Sequence, residues 1–143
     1  MASGSYRKFA DKHSDEFLNS VNLCNEFSQQ IKNKSEKIVI GGFSQGAMLT
    51  SHLAGLIAPD AMLLFSGTLF DKENLMQSLD SMNSIPFFQS HGKQDMVLEY
   101  SQAMDLFELL KLYKLKGEMI SFNGGHEIPM EVISKAKEFL SNL

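Results

Sequence analysis

The stretch Lys37-Ile38-Val39-Ile40-Gly41-Gly42-Phe43-Ser44-Gln45-Gly46-Ala47-Met48 decides how this chain is read. Its β-branched opening runs into two glycines, which reads as a buried strand over 37–41 meeting a tight turn. From Gln45 to Ile57 the pattern is helical until Ala58-Pro59-Asp60 stops it, so the turn joins a strand to a helix. Residues 42–46 have the form Gly-x-Ser-x-Gly. A serine on so sharp a turn sits in a strained backbone conformation and asks for small neighbours. Its Oγ is lifted above the sheet edge beside the positive helix start, and the Gln45 N–H points to where an oxyanion would form on a substrate.

Working outward, strands and helices alternate. From Ser14 to Lys32 the positions Phe17, Val21, Cys24, Phe27 or Ser28, and Ile31 recur at three- and four-residue steps. Ser14 is the expected cap, Asp15 and Glu16 favour the helix start, and Lys32 and Lys34 favour its end. Cys24 falls on this apolar stripe and reads as a core thiol. Ala61–Phe65 is a second strand, and a short helix is expected between Asp71 and Ser81. Ile85–Ser90 is a third strand, with Pro86 tolerated near its start. A helix over Glu99–Lys114 places Tyr100, Ala103, Met104, Phe107 and Leu110 on one face. Glu118–Phe122 is a fourth strand. The last helix runs from Pro129 to Leu143, with Ile133, Ala136, Phe139 and Leu140 facing inward. This order predicts an α/β fold: a three-layer sandwich around a mainly parallel sheet of about four strands. Residues 1–5 are small and polar and read as a leader outside the fold, leaving 6–143 as the domain.

Composition narrows the function. The 143 residues carry 13 Lys and Arg against 17 Asp and Glu, which argues against a nucleic-acid binder, since displacing phosphate counterions takes a basic surface. A single cysteine cannot form an intrachain disulfide, and no Cys/His spacing suggests a zinc site. Apolar runs fall short of a membrane span and no secretory signal opens the chain, so a soluble, cytoplasmic protein without stable membrane insertion is expected. The nine methionines read as plastic core filling rather than a metal site.

A serine hydroxyl is a weak nucleophile and needs a base, which in turn needs an orienting carboxylate. Both residue types follow predicted strands. Asp95 lies in Ser90-His91-Gly92-Lys93-Gln94-Asp95 after the third strand, and His126 in Asn123-Gly124-Gly125-His126-Glu127 after the fourth. The chain order Ser44, Asp95, His126 is that of α/β hydrolases. All three fall at carboxyl ends of parallel strands, where open α/β sheets hold their sites. Asp105 lies mid-helix and does not suit the carboxylate's role. His91 reads as a structural residue packed at the strand end, and His13 and His52 as solvent-facing or cap residues.

With these motifs in place, Gly-Phe-Ser-Gln-Gly-Ala-Met at 42–48, His-Gly-Lys-Gln-Asp at 91–95 and Gly-Gly-His-Glu at 124–127 resemble the phospholipase/carboxylesterase family, which includes the acyl-protein thioesterases. The resemblance implies hydrolysis of carboxylic esters, lysophospholipids or S-acyl thioesters without metal or organic cofactor. It makes Ser44 the nucleophile, Asp95 the carboxylate and His126 the general base, and it places Leu69 and Phe70 at the acyl site. The chain departs from the family at Met96-Val97-Leu98-Glu99, where many relatives carry a proline at the third or fourth position. Family members also have an N-terminal half supplying about the first four strands of a larger sheet, with a His-Gly loop that donates a second oxyanion hydrogen bond. No such loop precedes Ser44 in this sequence. The 37–41 strand, interior in the family, would then be an apolar edge, and pairing with a second copy or a complementary chain is expected there.

Overall fold

A computed structural model describes residues 2–31 and 37–143, with side chains from Asp15 onward. Five helices and four strands alternate: α1 (Ala2–Ile31), β1 (Val39–Phe43), α2 (Gln45–Ile57), β2 (Ala61–Phe65), α3 (Lys72–Leu79), β3 (Pro86–Gly92), α4 (Tyr100–Leu112), β4 (Lys116–Phe122) and α5 (Met130–Ser141). A single 3-10 turn over Asp80–Met82 follows α3. The strands form one sheet in the order β1-β2-β3-β4, and each neighbouring pair is parallel. The expected α/β sandwich is the observed one.

Two apolar clusters sit on opposite faces of the sheet. On one face, Met62, Leu64 and Phe87 pack with Ala47 and Ala54 of α2, Leu75 and Leu79 of α3, and Leu106, Leu109 and Leu110 of α4. On the other, Phe88 and Phe122 pack with Val132 and Ala136 of α5, with Phe139 partly buried beside them. α1 lies outside α2, where Val21 meets Leu53 and Ile57, and Phe17, Cys24, Ile38 and Ile40 close around them. Cys24 is thus a half-buried thiol on an apolar stripe, as its spacing suggests.

Several local expectations shift. α1 begins at Ala2 rather than Ser14, because residues 6–13 contain no proline and continue the helix. Ser14 is therefore interior to the helix, and residues 2–5 share its helical backbone. Met1, Lys32 and Lys34 lie outside the described residues, as does the His13 side chain. In α5 the inward face is Val132, Ala136 and Phe139, while Ile133 and Leu140 are exposed. In α4 the buried stripe runs through Ala103, Leu106, Leu109 and Leu110. In both helices the face that meets the sheet is shifted from the sequence-drawn stripe, to Leu106 and Leu109 in α4 and to Val132 in α5.

His52 also departs from its expected solvent position. It is buried, its Nε2 donates to the Phe70 carbonyl at 2.8 Å, and Phe17 meets its ring edge-on at 5.1 Å. Burial pushes its pKa below the ordinary value, against the opposing pull of the Phe70 carbonyl and the Asp71 charge.

β1 differs most from its reading. It begins at Val39 and continues through both glycines to Phe43 instead of ending at 41, and it alternates between exposed and half-buried residues. Val39 and Phe43 remain 39% and 40% exposed, because α5 covers the β3–β4 side of their face and nothing described covers the β1 side. A strand buried on both faces reads as a continuous apolar run, but β1 lies at the sheet's end and pairs with β2 alone among the described residues. The self-association expected from this edge is checked by light scattering at high protein concentration. A mass of two or more chains carries it, and a single-chain mass removes it.

At the other side of the sheet, the ends of β3 and β4 approach closely at Gly92. A Cβ there would lie 2.3 Å from the carbonyl oxygens of Gly124 and Gly125. Both are backbone atoms, so no side-chain rotation relieves the overlap. Gly92→Ala is expected to cost about 1–3 kcal/mol, measured as a lower denaturation midpoint at unchanged slope.

Candidate active site

The parallel register brings the strand ends level. Phe43 aligns with Phe65, Phe65 with Ser90, and Gly92 with Phe122, so the loops that follow open on one edge. The backbone stitches these loops together. Ser44 N–H donates to the Phe65 carbonyl at 2.9 Å, Ser66 N–H to Ser90, Lys93 N–H to Phe122 and Gln94 N–H to Gly124.

Ser44 sits between β1 and α2 with φ 58° and ψ −122°, a conformation that costs an L-residue of order 1–3 kcal/mol and persists only where its surroundings fix it. Gly42 permits the turn, since a Cβ there would lie 2.3 Å from the carbonyl carbon and oxygen of Gly46. Gly46 is different: a Cβ on it meets nothing within 4 Å. Only the first of the two flanking glycines is sterically required in this structure. Gln45 is the first residue of α2, so its N–H has no carbonyl one turn earlier to take it and points outward with the helix dipole.

His126 lies in the loop after β4 and reaches both partners. Its Nε2 is 2.9 Å from Ser44 Oγ, and its Nδ1 is 2.7 Å from Asp95 Oδ2. Asp95 has a fully buried side chain. Its Oδ1 accepts from Val97 N–H at 2.8 Å and Leu98 N–H at 2.9 Å. Burial pushes the carboxyl upward, but the Leu98 N–H, His126 and the Val97 N–H together outweigh it and hold the pKa below the ordinary value. The three residues picked out by the strand-end argument therefore meet in one hydrogen-bonded line. The segment without the family's proline does not disturb this: 95–98 closes as a turn on the carboxylate, and Glu99 leads into α4 with extended backbone, φ −64° and ψ 134°.

Leu69 and Phe70 have other neighbours. Phe70 packs against Phe17 at 4.8 Å and lies near His52. Leu69 packs on the core under α4, and its N–H donates to the Gln102 carbonyl at 3.3 Å. These contacts tie the β2–α3 loop toward α1 and α4.

Three residues beyond the predicted Ser44, Asp95 and His126 also reach the site, among them His91, read from the sequence as packed at the strand end. The Phe43 ring stands 4.8 Å from the His126 ring at 46°, because alternation along β1 puts Phe43 on the face toward which the β4 loop folds. Ser66, buried at φ 51°, donates Oγ–H to the Glu127 carbonyl at 3.1 Å and so ties the β2 loop to the His126 loop. His91, fully buried, lies 3.2 Å from Asp95 Oδ2. The only sequence signal for His91 was its place in His-Gly-Lys-Gln-Asp, four residues before the carboxylate.

The chain is similar to known proteins in sequence and in fold. The acyl-protein thioesterase 1 of Candida albicans is 28% identical over 141 residues, covering 89% of this chain and 60% of that protein. Acyl-protein thioesterase 1 homolog 1 of Dictyostelium discoideum is 31% identical over 123 residues, covering 79% and 51%. The chain thus spans about half to three-fifths of the curated relatives' length. Among solved structures, Arabidopsis thaliana SOBER1 superimposes with a TM-score of 0.77 at 21% identity, over 88% of this chain and 63% of that one. The Bacillus cereus carboxylesterase gives 0.74 at 21% identity, over 90% and 62%. At such identities these two matches establish the α/β-hydrolase fold. The phospholipase/carboxylesterase family profile matches residues 9–143, and the chain belongs to that family.

Proposed function

We propose that the chain is a serine hydrolase of carboxylic esters or thioesters. One observation carries the reading: an unbroken path from Ser44 Oγ through both nitrogens of the His126 ring to Asp95 Oδ2, at 2.9 and 2.7 Å. Its relatives named as thioesterases and carboxylesterases support the substrate class.

In this mechanism Ser44 Oγ attacks the carbonyl carbon while His126 Nε2 takes the hydroxyl proton. Asp95 accepts the Nδ1–H throughout, fixing the ring's tautomer and stabilising the imidazolium that forms. The negative charge gathering on the carbonyl oxygen meets the Gln45 N–H at the start of α2. His126 returns its proton to the departing alcohol or thiol, leaving Ser44 acylated. Water activated by the same imidazole then attacks the acyl-serine, releasing the acid and restoring the hydroxyl. The residues supply nucleophile, base and oxyanion contact, so the reaction calls for no metal or organic cofactor. The partner is a small ester or thioester, in a cytoplasmic setting. Gln45 is the one oxyanion donor assigned, and a site short of one donor is typically slower by about 10²–10³.

A fluorophosphonate probe is expected to label the wild-type chain at Ser44, with Ser44→Ala unlabelled and His126→Ala labelled far more slowly. Short p-nitrophenyl esters are expected to turn over slowly and in proportion to labelling. Intact wild type that neither labels nor hydrolyses overturns the reading.

Asp95 also predicts a pH dependence of stability. Its folded pKa is depressed, so the stability it contributes is complete above its unfolded value, about 3.9, and is lost as pH falls through the lower folded value. The difference in unfolding free energy between wild type and Asp95→Asn is expected to stay constant from neutral pH down to about that value. Below it the difference should shrink. Denaturant titrations across that range check the sign.

A further inference from the structure

His91 is a buried titratable group that the mechanism above leaves unused. It lies near the end of β3 with no exposure. Its Nε2 is 2.8 Å from the Leu98 carbonyl oxygen, which can only accept, so Nε2 carries the proton. Nδ1 is buried with no partner among the described residues. The contacts therefore place a proton on Nε2.

Leu98 is held from both ends. Its carbonyl accepts from His91, while its N–H donates to Asp95 Oδ1 at 2.9 Å, alongside the Val97 N–H at 2.8 Å. The peptide that presents two amides to one carboxylate oxygen is thus tethered to β3 by the imidazole. The same Nε2 lies 3.2 Å from the other oxygen, Oδ2, the one that His126 Nδ1 uses. With Oδ1 fixed by the turn and the His91 ring beside Oδ2, the carboxylate has one orientation, which aims Oδ2 at His126. The Tyr100 ring of α4 flanks His91 at 6.2 Å, and its hydroxyl is engaged with Ser121 Oγ of β4 at 2.7 Å. The titratable groups facing His91 are thus Asp95 and Tyr100.

We propose that His91 is a positioning residue: by holding the Leu98 carbonyl it locks the 95–98 turn and aims the Asp95 carboxylate at His126. The proposal builds on the hydrolase reading, but its physical content does not need turnover to be tested. The comparison is between His91→Gln, whose side-chain amide N–H reaches close to the position of Nε2, and His91→Leu, which fills the space without a donor. In the leucine variant, hydrogen exchange at the Val97 and Leu98 amides is expected to accelerate at least tenfold. The low-field His126 Nδ1–H proton resonance should broaden or vanish. The glutamine variant is expected to restore both. Where ester hydrolysis is measurable, the leucine change should lower kcat about tenfold with KM nearly unchanged, and glutamine should recover most of it.

Normal exchange and an intact His126 Nδ1–H signal in a folded leucine variant overturn the proposal. So does a glutamine variant as impaired as leucine. Should the leucine variant fail to fold, wild-type imidazole nitrogen shifts still decide: an Nε2–H tautomer of His91 maintained between acid and neutral pH supports the tether, and an Nδ1–H tautomer refutes it. Wild type that shows these signals yet neither labels nor hydrolyses would reject the hydrolase reading and leave the tether standing.

Discussion

The backbone of Ser44 is the constraint on which the site depends. A serine at φ 58° and ψ −122° does not rest there unaided. It is held by the Ser44 N–H bond to the Phe65 carbonyl, by α2 beginning at the next residue, and by Gly42 lying against the backbone of Gly46. Each of these is also a packing decision for the fold. The first continues the β1–β2 ladder by one residue beyond its last pair. The second sends α2 back over the sheet, where Ala47 and Ala54 enter the core. A strained serine is tolerated here because the contacts that hold it also serve the packing of the βα unit.

The same economy governs His126 and Asp95. Neither is placed by a long or elaborate loop. Lys93 and Gln94 donate back to Phe122 and Gly124, so the two loops are sewn to each other before any side chain is considered, and Gly92 lets them touch. Ser66 then binds the His126 loop from the β2 side. The hydrogen-bonded line from Ser44 to Asp95 is short because the parallel register brings the ends of β1, β3 and β4 out on one edge of the sheet. It stays short because the loops between them are bonded at the backbone.

Much of this was legible in the sequence. The alternation of short apolar runs with helical stripes is a property of residues i to i+4, and it gave the order and type of all nine elements. Ser44, Asp95 and His126 could be found because each follows a strand directly, so sequence position alone fixes where it stands on the sheet edge. What was illegible depended on distant partners. Whether β1 is buried is decided by what covers Val39 and Phe43, and the residues β-branched enough to suggest a central strand lie at an edge. His52 carries no local mark of burial, since its pocket is made by Phe17 and Phe70 from other elements. Likewise the packing of Phe70 on Phe17 of α1 has no local mark in the sequence.

The chain covers about three-fifths of the solved structures it matches, and yet the relay between its three residues is complete. The parallel register explains how both hold. Ser44, Asp95 and His126 follow β1, β3 and β4, and the backbone bonds that orient their loops join residues between 44 and 127. The four strands hold Ser44, Asp95 and His126 in register, while Val39 and Phe43 on β1 stay part-exposed. In the proposed hydrolase reading, proton transfer and charge stabilisation are therefore separable. The first would rest on the strand ends, and the second on the Gln45 N–H at the start of α2.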